Sequence, residues 1–270
     1  MGKLFSIQEK VIVITGGTGV LGSVIASYLA DEGARVVILG RREDAGIEIV
    51  KQIKERGKEA LFLKSDVMDE ALLTQNREEI LTRYGRIDAL LNAAGGNMAG
   101  ANINPDQTFF DLNMDEFDKV VRLNLTGSVL ATQVFLRPMA DRKKGIILNF
   151  SSMAAFRPMT RVAGYAAAKA GITNFTQFLA NEVAAKFGEG IRVNAIAPGF
   201  FLTEQNRELL TNPDGSYTQR GKDVIRQTPF KRLGVPDELC GTIHYLVSDA
   251  SSFVTGTTIT VDGGFNCFAM

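Results

Sequence analysis

Histidine is almost missing from this chain: His244 stands alone among 270 residues. Cysteine is nearly as scarce, with only Cys240 and Cys267. A structural zinc site usually takes four Cys or His ligands, and the chain holds three, all near its end. Metal is therefore not expected. Two cysteines cannot staple a domain of this length, so a disulfide scaffold is excluded and a reducing compartment fits. No apolar stretch approaches the ~20 residues of a membrane helix, and no charged-then-apolar leader precedes Val11. A cytoplasmic protein without a membrane partner is the expectation. Charge of either sign is not in excess, since 30 Lys and Arg balance 30 Asp and Glu. That balance excludes the broad basic footprint of a nucleic-acid binder.

What remains is ordinary globular composition, 45% apolar and 22% charged. Short β-branched runs recur along the chain: 11–14, 36–39, 60–63, 87–91, 146–148, 192–196 and 258–261. Runs that are apolar throughout suit strands buried on both faces of a parallel sheet. Helical patterns lie between them at 21–32, 43–56, 70–84, 115–141, 162–187 and 236–248. Such alternation predicts an α/β fold, a single doubly wound Rossmann-type domain spanning residues 1–270. Two segments break the rhythm. Residues 95–113 are polar, and residues 199–235 carry no strand but include the turn signal Pro213-Asp214-Gly215. Both follow strands, so both are candidates for the rim where such sheets bind ligands, with 199–235 the expected substrate loop.

Thr15-Gly16-Gly17-Thr18-Gly19-Val20-Leu21-Gly22 joins a buried strand to a helix. Glycines there let the backbone turn tightly against a pyrophosphate, and the helix start offers free N–H groups. The residues from Gly16 to Gly22 are therefore candidate dinucleotide ligands, with Gly17, Gly19 and Gly22 matching the spacing G-x-G-x-x-G. The second strand ends in Gly40, where an NAD site would carry a carboxylate, and Arg41 and Arg42 follow. Guanidinium groups in place of an acid suit a 2′-phosphate, so NADP(H) is favoured over NAD(H). Asp66, with Val67 beside it, either meets the adenine edge or caps the next helix.

Tyr165 and Lys169 stand four residues apart, on one face of a helix. A phenol is a poor acid–base catalyst near neutrality, and a nearby cation lowers its pKa. A phenol so tuned can exchange a proton with an alcohol oxygen. Ser152, thirteen residues earlier, could hold the same oxygen. Three readings follow: an NADP-dependent alcohol/ketone oxidoreductase, a nucleotide sensor without chemistry, and a serine hydrolase. A sensor has no need of this residue set. A hydrolase lacks a base, since His244 lies on an apolar helix and is expected to pack there.

At these residues the chain resembles the short-chain dehydrogenase/reductase family, in its compact subtype, from Phe5 to Phe265. The resemblance rests on Thr15–Gly22, Asp66, Asn92-Ala93-Ala94-Gly95, Asn124, Ser151-Ser152, Tyr165 with Lys169, Pro198-Gly199, Thr203 and Asp262-Gly263-Gly264. It implies a seven-stranded parallel sheet and hydride transfer with a nicotinamide cofactor. It implies Tyr165 as acid/base, Lys169 as its tuner and a ribose ligand, and Ser152 as substrate-orienting. Asn124 would hold a helix kink and a relay water. Asn92, Ala93, Ala94 and Gly95 would line the cofactor, with Pro198, Gly199 and Thr203 toward its carboxamide. Two positions depart from the family pattern: Val20 replaces a glycine, and Ala93 replaces an asparagine.

The stretches 151–158 and 197–207 resemble a D-mannonate oxidoreductase-like subgroup that acts on sugar acids. A carboxylate-bearing polyol such as D-mannonate, oxidised to D-fructuronate, is the expected substrate, with 3-oxoacyl-type or polyol reduction as the alternative. Arg157 and Arg207, with Arg161, are candidates to hold its carboxylate, because an arginine fork binds that group bidentately. The family implies a homotetramer. The apolar tail 265–270 is expected to pack on a neighbour or over a site.

Overall fold

In the computed structural model, residues 3–268 are described. The β-branched runs form seven strands: β1 (Val11–Thr15), β2 (Arg35–Gly40), β3 (Ala60–Lys64), β4 (Ala89–Asn92), β5 (Gly145–Phe150), β6 (Ile191–Pro198) and β7 (Thr258–Val261). All pair in parallel, in the order β3-β2-β1-β4-β5-β6-β7. Register is fixed by apolar rungs such as Leu91 beside Ile14 and Leu148.

Successive residues of a strand feed opposite faces. Ile12, Ile14, Val36 and Ile38 pack with Ile25 and Leu29 of α1 (Val20–Asp31), Val50 and Ile53 of α2 (Glu43–Glu55), and Ile243 and Leu246 further along. Val11, Val13, Val37 and Leu39 face the other way, as do Leu90, Ile147 and Val193. They meet Leu73 and Ile80 of α3 (Glu70–Tyr84), and Phe135 and Val183 from later helices. Two cores on two faces make the sheet doubly wound, as its sequence rhythm requires.

The helical pattern expected over 115–141 is two helices joined by a wider turn. α4 (Met114–Val121) runs into a π-helical segment (Arg122–Thr126), then α5 (Gly127–Asp141). The long helix α6 (Ala163–Phe187) follows β5. Segment 199–235 holds two helices that its sequence pattern did not signal, α7 (Glu204–Leu210) and α8 (Gln219–Gln227). They are short, and their apolar residues serve a small private core. Leu210, Val224 and Leu233 pack there with Phe200, Leu202 and Tyr217. The turn at Pro213-Asp214-Gly215 is present, with Gly215 at φ 84 and its N–H on the Asn212 carbonyl. The last helix, α9 (Cys240–Val247), carries His244. No helix among the described residues is long and apolar enough to cross a membrane.

Candidate active site

Strand order reverses about β1, so the loops after β1 and β4 part and leave a crevice beyond their carboxyl ends. A cleft of about 550 Å³ opens there. Its floor is the glycine-rich turn. Gly16 sits at φ 65, and a Cβ there would lie 2.6 Å from the Cα of Ala94, so only glycine fits. Gly22 brings α1 down onto the turn, since a Cβ at 22 would meet the Gly16 carbonyl oxygen at 2.5 Å. Gly19 caps α1, and beyond that same oxygen its missing Cβ would touch nothing. The outer side of the turn is thus open to the cleft, where the first N–H groups of α1 have no helical partner. Val20, the departure from the family pattern, begins the helix instead of crowding the turn.

Arg41 and Arg42 line the cleft at the end of β2, with Asp66 and Val67 at the end of β3. At Gly40 a Cβ would lie 2.6 Å from Thr18 Oγ1, so a side chain there would require the Thr18 side chain to shift. Arg42 folds back to donate to the Thr18 carbonyl, while Arg41 is exposed. Asp66 does not cap the helix. Its carboxylate accepts from the Met68 N–H within its own loop, and Asp69 caps α3. Ala93, Ala94 and Gly95 form the wall after β4, and Pro198, Gly199 and Thr203 the wall after β6.

Ser152, Tyr165 and Lys169 come together at the inner end. Ser152 starts a 3-10 turn, its hydroxyl accepting from the Ala154 N–H at 3.2 Å. The Lys169 ammonium is buried, donates to the Phe150 carbonyl at 2.7 Å and lies 5.5 Å from the centre of the Tyr165 ring. Burial pushes the Tyr165 phenol up from its ordinary value, and the Ser152 hydroxyl pulls it partly back. Burial also lowers Lys169 to about 8. Its ammonium is bonded to a carbonyl and faces the ring, and burial dominates both groups.

Six expected residues, Gly17, Asn92, Asn124, Arg157, Arg161 and Arg207, lie outside the cleft lining. Asn92 is buried under the sheet, where its amide donates to Thr132 and Asn149 at 2.8 and 2.9 Å. Asn124 sits in the π-helical turn and clamps Gly96 at both ends. It accepts from that N–H at 3.0 Å and donates to that carbonyl at 2.7 Å, while also donating to Val120 across the widened turn. The expected helix distortion is therefore there, and the side chain holds the loop wall. Arg157 is taken by the C-terminal segment: it donates to the Phe265 carbonyl at 2.7 Å and covers the Phe265 ring. Arg207 projects from α7 as an exposed side chain.

Sequence reasoning missed Ser65, Gly96, Leu123 and Phe200, which also line the cleft. Each adjoins a motif residue, but nothing in its own type signals a site. Phe200 packs edge-on against Phe265, so residue 265 of the apolar tail does pack beside the cleft; residues 269 and 270 lie outside the described residues. His244 is buried far along α9, between the Tyr28 hydroxyl at 3.0 Å and the Phe5 carbonyl at 2.6 Å. No cluster of potential metal ligands occurs among the described residues.

The family model for short chain dehydrogenases matches residues 10–214. An uncharacterized oxidoreductase of Bacillus subtilis (strain 168), UxuB, is 44% identical over 98% of this chain and 97% of its own. A 3-oxoacyl-[acyl-carrier-protein] reductase of Synechocystis is 32% identical over 97% and 99%. Among solved structures, a candidate D-mannonate oxidoreductase from Haemophilus influenza with bound NAD superposes with a TM-score of 0.91. It is 38% identical, covering 98% of this chain and 97% of that one. A gluconate 5-dehydrogenase from Burkholderia cenocepacia, in complex with NADP and tartrate, gives 0.87 at 31% identity, covering 99% of each chain.

Proposed function

The chain belongs to the short-chain dehydrogenase family, an NAD(P)-dependent oxidoreductase acting on CH–OH groups, and from that premise we propose that it interconverts a secondary alcohol and a ketone on a sugar acid of the D-mannonate/D-fructuronate type. The observation that carries this reading is the meeting of Ser152, Tyr165 and Lys169 at the inner end of a cleft floored by the glycine-rich turn. The residues fit a nicotinamide dinucleotide. The open face of Gly19 and the start of α1 suit the pyrophosphate, Asp66 the adenine edge, and Lys169 the ribose beside Tyr165. When bound, that cofactor supplies the acceptor or donor of the hydride.

The protein's own part is the proton. The Tyr165 phenolate takes it from the alcohol in oxidation, and the phenol returns it to the ketone oxygen in reduction. Ser152 donates a hydrogen bond to the same oxygen and lowers the charge that Tyr165 must carry. Asn124 holds Gly96, and hence the cleft wall, in place. Arg41, exposed at the cleft edge with no acid at Gly40, supports NADP(H) as the preferred cofactor. The likeness to proteins named for D-mannonate and gluconate supports the sugar-acid class. The setting proposed is a cytoplasmic homotetramer, for which Phe178, 60% exposed on α6, offers an apolar contact.

Relatives named as 3-oxoacyl-[acyl-carrier-protein] reductases favour a second reading, reduction of a β-keto thioester. A zero net charge supplies no broad basic surface for an acidic carrier protein. One screen separates the two. Absorbance of reduced cofactor is followed with aldonates, matching alditols and β-keto esters, with NAD(H) and NADP(H) in parallel. Turnover of an aldonate above the others is expected; preference for the β-keto ester would replace the first reading by the second.

A further inference from the structure

A second cavity, of about 210 Å³, adjoins the cleft on its β7 side. Val261 and Asp262 line it where β7 ends, with Thr228, Phe230 and Gly234 from the connection after α8. It is smaller than the roughly 300 Å³ at which pockets begin to enclose a whole small molecule, so it is no binding site by itself. Its lining and that of the cleft share Phe200 and Phe201 and, among the described residues, nothing else. These two residues follow β6, which lies between β5, leading to Ser152, and β7. The chain is tied to β7 just before them, where the Gly199 N–H donates to the Val261 carbonyl at 2.9 Å. Phe201 is locked in place: it is buried, and a Cβ at Gly234 would lie 2.7 Å from its ring. Phe200 is only partly buried, so its ring is the adjustable part of the partition.

That ring is held from behind. Phe200 meets Phe265 edge to face with centroids 5.2 Å apart, a favoured arrangement of aromatic pairs. Phe265 is buried with Met153 and Ala197, and Met153 directly follows Ser152. The turn that carries Phe265 is fixed by the Asp262 carboxylate, which accepts from the Gly264 and Asn266 N–H groups at 3.0 and 2.7 Å. Arg157 completes the stack. Its guanidinium lies 5.0 Å from the Phe265 ring centre and donates to the Phe265 carbonyl at 2.7 Å. We infer that Phe200 is a specificity-determining residue: its ring walls the cleft off from the side cavity and confines the enzyme to short substrates, with Phe265 and Arg157 positioning it. The inference rests on the oxidoreductase reading above and does not need the sugar-acid one. A chain extending from the oxygen at Ser152 and Tyr165 toward β7 runs into this ring. A smaller side chain at 200 lets it continue into the side cavity.

The test measures kcat/KM on aldonates and on β-keto esters, each in a series of increasing chain length, with cofactor saturating. Wild type, Phe200→Ala, Phe200→Leu, Arg157→Ala and Arg157→Lys are compared. Wild type should lose kcat/KM as the chain lengthens. Phe200→Ala should raise kcat/KM on the long members roughly 10-fold or more relative to the short ones, the factor that one accommodated methylene contributes in an apolar pocket. Phe200→Leu should fall in between. Arg157→Ala should shift the length preference in the same direction by releasing Phe265, and Arg157→Lys should restore it; lost stability by itself moves long and short substrates together. The rise in melting temperature on adding cofactor reports folding, and where Phe200→Ala lacks it, Phe200→Leu decides. Phe200 variants that gain nothing on long substrates, or a wild type that takes long and short members equally well, overturn the wall. A shift in the Phe200 variants with none in Arg157→Ala overturns the positioning role of Arg157. The wild-type preference between aldonate and β-keto ester decides the sugar-acid reading separately, so either can fail without the other.

Discussion

Lys169 should make the cofactor-free protein less stable than it could be. The side chain is 4% exposed, and burial lowers its pKa from 10.5 to about 8. Each tenfold change in proton affinity corresponds to about 1.4 kcal/mol, so keeping the ammonium charged in the fold costs about 3 kcal/mol at neutral pH. Lys169→Met keeps the length and volume and removes the charge. It also loses the hydrogen bond to the Phe150 carbonyl, worth about 1 kcal/mol. A net gain of about 2 kcal/mol is expected, or roughly 5 °C in melting temperature for a domain of this size. The pH dependence has a definite sign. Below pH 8 the lysine is charged in both folded and unfolded chains, and the full penalty is present. Between pH 8 and 10.5 the folded chain releases the proton while the unfolded chain keeps it, so wild-type stability rises with pH. The advantage of the methionine variant should therefore be constant below pH 8 and fade as pH rises toward 10.5. Urea unfolding of both proteins at pH 7, 8.5 and 10 measures this. A variant less stable than wild type at pH 7, or an advantage independent of pH, would refute the reasoning. Activity should be lost in the same variant, since Lys169 stands beside Tyr165.

Tyr165→Phe keeps the ring and removes the exchangeable proton. Turnover should fall at least ~100-fold, while the cofactor still raises the melting temperature; near-normal turnover would end the acid/base assignment. Gly16→Ala places a Cβ 2.6 Å from Ala94 at a positive φ. A loss of roughly 2 kcal/mol or more in urea unfolding is expected, together with weakened cofactor binding, and a change under ~0.5 kcal/mol would contradict the geometry. Arg41→Ala should lower kcat/KM with NADP(H) about 10-fold or more relative to NAD(H). Equal losses with both cofactors would show that Arg41 does not hold a 2′-phosphate.

Periodicity exposed most of this fold because a parallel sheet covered on both faces needs unbroken apolar strands, and those runs cannot hide. All seven appear where expected, with ends shifted by one or two residues; β4, expected over 87–91, runs from Ala89 to Asn92. Helices α7 and α8 were not legible. Their stability comes from packing Leu210 and Val224 with Leu233 and Phe200, which are distant in sequence, and not from a local pattern. Among the site residues, those fixed by backbone geometry were readable: a glycine forced by φ 65, or a helix start after a turn, leaves a local mark.

Side-chain direction left no such mark. Asn92 lies one residue before cleft-lining Ala93, yet the strand pleat turns it under the sheet to Thr132 and Asn149. Arg157 and Arg161 look equivalent as letters in one connection. Only the path of the chain gives the first to Phe265 and the second to Ile103 and Asn104. By itself the sequence determined the doubly wound sheet, the nucleotide turn and the Ser-Tyr-Lys set, because each follows from local spacing and residue type. Which partners Arg157 and Arg161 take, and how burial shifts Tyr165 and Lys169, was decided by tertiary structure, since desolvation and long-range contact exist only once the distant loops have come together.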